Sequence, residues 1–374
     1  MNPYTSSGSV ATMTANVSGN DNLNDLGDGP RQPGDPERYP VGAVTRRLLG
    51  YVRPHRISFV ASFVSAAISV ILQLYTPILI GEGIDLIGFA PKSRFDALPV
   101  EKNPFTIFPE GETVIMLGKR ICRGALRGVE EGTNFSDYNL FGKNWLEDEF
   151  LSLACYGLTN TLEDEGWEAM PLFPNPSDGN EPSGVPVADG RPAPNIYPDF
   201  DYAAVACGLC ELSFNRIPFS KKFGSRQRFH MIVTDAVLEP TPIMEGSVCD
   251  RCGKCAEACP LGAIHADETE EIEICGKKMT VAVIDYDKCR VCKNGACPNR
   301  FTPKGKPDRV AALCNRTCLC HLEAEDRTEN RFEQAFRKRD AWALNASGSY
   351  AERNPDVANV LGGVFSKDGN RGAK

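Results

Sequence analysis

Residues Cys249 to Pro260 read C-D-R-C-G-K-C-A-E-A-C-P, with four cysteines separated by two, two and three residues and a proline after the last. A cubane iron–sulfur cluster needs thiolates that converge on one point from a short loop, and this run supplies them. In such loops three cysteines hold one cluster and the fourth reaches a second. Zinc is the rival metal, but it usually takes two Cys-x2-Cys pairs set apart by a longer stretch.

A later group is less regular. Cys289-x2-Cys292-x4-Cys297-Pro298 keeps the Cys-Pro ending, and Cys314-x3-Cys318-x-Cys320 follows. By ferredoxin logic Cys249, Cys252 and Cys255 hold one 4Fe–4S cluster with a fourth ligand from this later group. Cys259 then joins a second cluster with Cys289 and Cys292 first, followed by Cys297, Cys314 and Cys318 as candidates. Cys320 and Cys275 are read as spare thiols, and zinc stays open for the later group because its spacings are looser.

These cysteines need elements to position them. The 374 residues allow about two domains with a sizeable core. Fifteen cysteines are an odd number, the N-terminal stretch is polar, and cysteines bunched at cluster spacing point to a reducing compartment rather than a disulfide scaffold. The net charge of −8 advertises no nucleic-acid partner. Composition divides the chain into a polar tail at 1–39, a candidate membrane segment at 40–87, a cofactor domain at 88–240, an iron–sulfur domain at 241–342 and a second tail at 343–374.

Within the second segment Ile57 to Gly81 carries no charge and is long enough to span a bilayer, with Arg46, Arg47, Arg53 and Arg56 on its N-terminal side. The protein is therefore expected in the cytoplasm, or at the cytoplasmic membrane through Ile57–Gly81. The stretches Arg46–Arg56 and Thr76–Ile87 resemble the first transmembrane helix of ABC-type exporters. No G-x-x-x-x-G-K-[ST] phosphate loop accompanies them, so transport by this chain is not expected. A different resemblance begins beyond Gly83–Phe89, which marks a join between unlike parts.

From Gly88 onward an α/β domain is expected. Thr113–Leu117 reads as a buried strand, Ser136–Glu165 as a helix closed by Gly166, and Glu168–Phe173 as a strand. Pro174–Pro198 reads as a long surface loop, Asp201–Leu212 as a helix and Phe229–Val237 as a strand. Glu271–Ile274 and Met279–Asp285 flank Gly276-Lys277-Lys278 as a hairpin in the second domain.

The segments Ile87–Asp96, Ala203–Glu211, Phe223–Phe229, Thr234-Asp235, the Cys249 loop, and Cys314–Cys318 with His321-Leu322-Glu323 together resemble the epoxyqueuosine reductase family over about Leu86 to Trp342. That resemblance implies an architecture shared with reductive dehalogenases. A nitroreductase-like, corrinoid-binding α/β domain is followed by a ferredoxin-like domain with two 4Fe–4S clusters. It also implies cobalamin held without a protein histidine below the cobalt, with electrons delivered through the clusters. Where the family has Gly-Leu-Gly, this chain has Gly208-Leu209-Cys210, and the family's proton-donating Asp aligns cleanly with neither Asp199 nor Asp201. No stretch of these residues resembles the C-terminal helical repeats that help that family hold tRNA, so tRNA is not an expected substrate.

Arg226, Arg228 and Gly208 are the candidate cofactor contacts, an ion-paired role being the alternative for the arginines. No catalytic residue is assigned. His230 reads as a core histidine, Tyr138 as a hydrophobic anchor, and Cys122, Cys155 and Cys207 as packing residues. Three functional classes follow: a corrinoid-linked iron–sulfur reductase, an electron carrier without its own chemistry, and an exporter segment with a passenger domain. For the first, the expected partners are a ferredoxin- or flavodoxin-type donor and a small-molecule or corrinoid-protein substrate.

Overall fold

The computed structural model describes residues 64–65 and 83–339, except 176, 178–181, 195 and 301–303. The chain divides into two units, Met1–Val70 and Ile71–Lys374, and every described residue but Val64 and Ser65 belongs to the second. All of Ile57–Gly81 except Val64 and Ser65 thus lies outside the described residues, as do both tails. No described helix is long and apolar enough to cross a membrane.

The second unit contains β1 (Leu86–Pro91), β2 (Thr113–Arg120), α1 (Arg127–Glu131), α2 (Ser136–Asn139), α3 (Ser152–Asp164), β3 (Ala169–Leu172) and α4 (Phe200–Ala206). The short strands β4 (Glu211–Leu212) and β5 (Pro218–Phe219) lead to β6 (Gln227–Thr234). The cysteine-rich half then adds α5 (Lys254–Glu257), β7 (Ile264–Ile274), β8 (Lys277–Ile284), α6 (Tyr286–Arg290) and α7 (Leu313–Ala324).

The main sheet runs β1-β2-β6-β3 and every pairing in it is antiparallel. β2 is central and buried on both faces, which is why its sequence is a continuous apolar run rather than an alternation. One face, with Val114, Met116, Met231 and Val233, packs against Ala203–Cys207 of α4 and its C-terminus. The other, with Ile115, Leu117 and Ile232, packs against Leu151 and Cys155 before and within α3. Three layers result, with the sheet in the middle.

The expected long helix at Ser136–Glu165 is present but not uniform. Between α2 and α3 the backbone widens into π-type turns at Leu140–Asn144 and Leu146–Leu151. Within this stretch the Gly142 carbonyl accepts a hydrogen bond from Arg228 Nε at 3.0 Å. The expected helix at Asp201–Leu212 ends earlier, at Ala206, because Gly208 takes a left-handed φ of +73°. The expected hairpin is present as β7–β8 and starts further upstream, at Ile264.

Candidate iron–sulfur centre and adjoining cavity

The Cys249 loop owes its shape to two left-handed residues, Arg251 (φ 57°) and Gly253 (φ 76°), which coil the chain inward between the cysteines. Its start is fixed by Glu211, a buried carboxylate. Glu211 Oε1 accepts from the backbone N–H of Val248 (2.8 Å) and Cys249 (2.7 Å) and from the Ser247 hydroxyl (2.9 Å). Lys277 Nζ lies 3.5 Å from its other oxygen. Composition and spacing gave no hint of this role; Glu211 stood out only as the last residue of Ala203–Glu211.

The cysteines sort into two sets. Cys249, Cys252 and Cys255 line one cavity of about 290 Å³ together with Cys318 from α7. Cys259, Cys289 and Cys292 line another of about 340 Å³ together with Cys314, one helical turn earlier on α7. Sequence reasoning left the fourth member of each set open, and α7, which places both, was not foreseen. The signal available was the i, i+4 spacing of Cys314 and Cys318.

The structure does not bring Cys297 to either cavity. Its backbone pairs with that of Asp308 in both directions, at 2.8 and 2.9 Å, and its thiol is buried, pushed up to about 12 by loss of water. Neither Cys320 nor Cys275 lines a cysteine cavity, as expected of spare thiols.

The chemistry of the two sets fits thiolate-bound metal. Donors already point at the sulfurs: Phe214 N–H at Cys249 Sγ (3.4 Å), Ala263 N–H at Cys259 Sγ (3.2 Å) and Asn215 Nδ2 at Cys318 Sγ (3.8 Å). Burial pushes the thiols of Cys249, Cys252, Cys292 and Cys314 up, and that of Cys289 to about 11. Cys255 moves the other way because Cys318 donates a hydrogen bond to it. A set of neutral thiols in an apolar wall has no charge of its own to stabilise, whereas a cation would draw off their protons. At the exposed rim, Asp250, Cys252 and His321 bring ligand-type atoms within 4.8 Å of one another. Both imidazole nitrogens of His321 are already engaged, by Asp250 at 2.7 Å and Lys254 at 2.9 Å.

A third, larger cavity shares Arg309 with the second of the cysteine cavities. Lys143 and Glu147 of the widened helix, Asp201 of α4, Arg228 of β6 and the segment Pro307–Val310 line it, and none of its described lining residues is a histidine. Its wall carries a buried network in which Arg228 Nη2 donates to Asp308 Oδ2 (2.7 Å) and to the Tyr138 hydroxyl (2.8 Å). The Tyr138 hydroxyl lies 2.8 Å from the same Asp308 oxygen. Burial alone would raise the Asp308 carboxyl, but Arg228 and Lys143 hold it well below the usual carboxylate range. Burial drives Tyr138 far above its ordinary value, so it stays protonated.

Of the three candidate cofactor contacts, only Arg228 lines this cavity. Arg226 is buried elsewhere, donating to the Ile121 carbonyl (3.0 Å) and Asn330 (2.7 Å). Gly208 abuts backbone: a Cβ there would lie 2.1 Å from the Pro242 carbonyl oxygen. Cys210, the departure from Gly-Leu-Gly, is fully buried in the core beneath the sheet and crowds no cavity.

The 4Fe–4S binding domain family matches residues 246–265. A tetrachloroethene reductive dehalogenase of Desulfitobacterium hafniense is 36% identical over 116 residues, which are 30% of this chain and 21% of that protein. Among solved structures, a catabolic reductive dehalogenase in complex with 3-bromo-4-hydroxybenzoic acid matches at 14% identity and a TM-score of 0.41, over 63% of this chain and 30% of the other. An epoxyqueuosine reductase with a tRNA stem loop matches at 18% identity and a TM-score of 0.33, over 53% of each chain. The chain thus spans about a fifth of its curated relative's length, 21%. It carries a 4Fe–4S binding domain and is related, over part of its length, to a reductive dehalogenase.

Proposed function

We propose that the chain is an iron–sulfur oxidoreductase of the epoxyqueuosine reductase and reductive dehalogenase type, relaying electrons from a ferredoxin- or flavodoxin-type donor to a corrinoid in the large cavity. The observation that carries this reading is the sorting of eight cysteines into two four-thiol cavities, with Arg309 lining both the second of these and the large one. Cys249, Cys252, Cys255 and Cys318 hold one cluster in this reading, and Cys259, Cys289, Cys292 and Cys314 the other. When bound, the clusters supply single-electron storage and the corrinoid a strong reductant for a small-molecule or corrinoid-linked substrate.

The protein's own residues do the rest. Glu211 fixes the loop that presents Cys249, and apolar residues pack around both cysteine sets, with Cys252 left exposed. Arg228 and Asp308 hold a fixed charge pair at the wall of the large cavity, and Tyr138 keeps a proton on a hydroxyl shared with both.

Anaerobic purification with iron, sulfide and cobalt analysis after incubation with hydroxocobalamin tests this. The expected result is roughly eight irons per chain for two cubane clusters, with stoichiometric cobalt. Full iron with no cobalt uptake reduces the protein to an electron carrier, and absence of iron overturns both readings.

A further inference from the structure

Arg309 is 3% exposed, yet two of its donors, Nε and Nη1, have no acceptor. Its third nitrogen, Nη2, donates to the Asn215 carbonyl at 2.8 Å. The Tyr286 ring lies 5.3 Å from the guanidinium carbon, and among the described residues no carboxylate forms an ion pair with it. A buried guanidinium left this way is destabilising, so its unused N–H groups call for an anionic acceptor. It lines both the Cys259, Cys289, Cys292, Cys314 cavity and the large cavity. Arg309 does not line the first cysteine cavity: it meets that set through Asn215, whose amide donates to Cys318, and its charge is felt at Cys255 more weakly than at Cys289 and Cys314.

We infer that Arg309 is a positioning residue that sets the reduction potential of the second cluster above what its cysteines alone would give. The inference rests on the two-cluster reading above. Each electron added to a thiolate-bound cluster adds negative charge. A fixed cation in the same low-dielectric wall, with two free donors for sulfur, favours the reduced form. The first cluster, one residue further away through Asn215, feels the same charge less. Arg309 thereby holds the cluster beside the large cavity at a potential distinct from that of its partner.

The test is an anaerobic redox titration followed by electron paramagnetic resonance on the full chain. The second cluster's signal is identified by its loss in Cys314→Ser. In Arg309→Met, with iron content unchanged, its midpoint moves to lower potential by more than that of the first cluster. Arg309→Lys, which keeps the charge but not the fork, gives a smaller shift in the same direction. Unchanged midpoints, or equal shifts in both clusters, overturn the inference. Loss of the second cluster in Arg309→Met with an unaltered midpoint in Arg309→Lys also overturns it, since Arg309 then only fills space. A wild-type chain without iron defeats the two-cluster reading instead.

Discussion

The two cysteine cavities are built alike and placed differently. Each takes three thiols from one part of the chain or its neighbour and one from α7, yet the first reaches solvent through exposed Cys252 while the second has buried Arg309 in its wall. The first is the one whose rhythm is plain in the sequence, because a single tight loop can carry three ligands at fixed spacing. The second is assembled from Cys259, α6 and α7, so its regularity exists only in space. A regular motif marks the loop that folds on itself; it says nothing of which cluster stands nearer the chemistry.

The largest expected effect tests the partition itself. Cys314→Ser should remove roughly half of the iron, as should Cys318→Ser, each from a different set. Cys297→Ala should leave iron content unchanged, because the Cys297 thiol lines neither cysteine cavity and its backbone pairing with Asp308 does not need the side chain. Iron analysis of the three variants decides this. Loss of iron in Cys297→Ala would move the boundary between the sets.

A smaller effect separates the walls of the two cavities. Asp308 anchors Pro307–Val310 by accepting from Arg228 and from the Val310 N–H at 3.1 Å. Asp308→Ala leaves buried Arg228 with Glu147, 3.4 Å from its Nε, as its remaining carboxylate and should cost about 1–3 kcal/mol. Chelator challenge should then strip the second set before the first. Asp287→Ala provides the control, since Asp287 is largely exposed and its pair with Arg290 is worth at most about 1 kcal/mol. Equal unfolding midpoints for the two variants would show that Asp308 anchors nothing.

Acid should act on both sets together. His230 of β6 is buried against the edge of Phe173, and burial lowers it to about 4 from an ordinary 6.5. The unfolded chain therefore binds the extra proton first, between about pH 6.5 and 4. Stability is full above that window and falls as pH drops through it, by on the order of 3 kcal/mol. Urea titrations at pH 7 and pH 4.5 should show this slope, and His230→Phe should flatten it. A slope that survives the substitution would have to come from other groups.

Much of this was legible in the residues, and the losses have physical causes. The apolar run at Thr113–Leu117 gave β2 because a central strand must be apolar on both faces. Ser136–Glu165 was read as one regular helix because its periodicity is helical, but the Arg228–Gly142 bond that accompanies the π-type turns comes from β6, more than eighty residues on, and leaves no local trace. The same holds for Glu211 and Arg309. Each acts through a tertiary contact, and neither sits in a spacing pattern. The three cofactor candidates were picked on chemistry alone, so a guanidinium that lines a cavity (Arg228) and one that packs inside the core (Arg226) looked the same.

Gly208 gives the smallest effect and the sharpest reading of that last point. It was a candidate cofactor contact because glycine admits close approach, and something does approach it closely: the Pro242 carbonyl oxygen. The neighbouring Thr241 ties this seam to β1, accepting from Phe89 N–H at 2.9 Å, and the chain then runs through Met244 and Val248 into the first cysteine loop. Gly208→Ala must keep φ at +73° and displace Pro242, at a cost of about 2 kcal/mol. The displacement should loosen the first cysteine set before the second, seen as faster chelation of its iron, with corrinoid uptake unchanged. If uptake falls while the unfolding midpoint and iron release stay as in the parent protein, Gly208 touches the cofactor after all. The glycine would then belong to the large cavity, and the seam at Pro242 would not be what requires it.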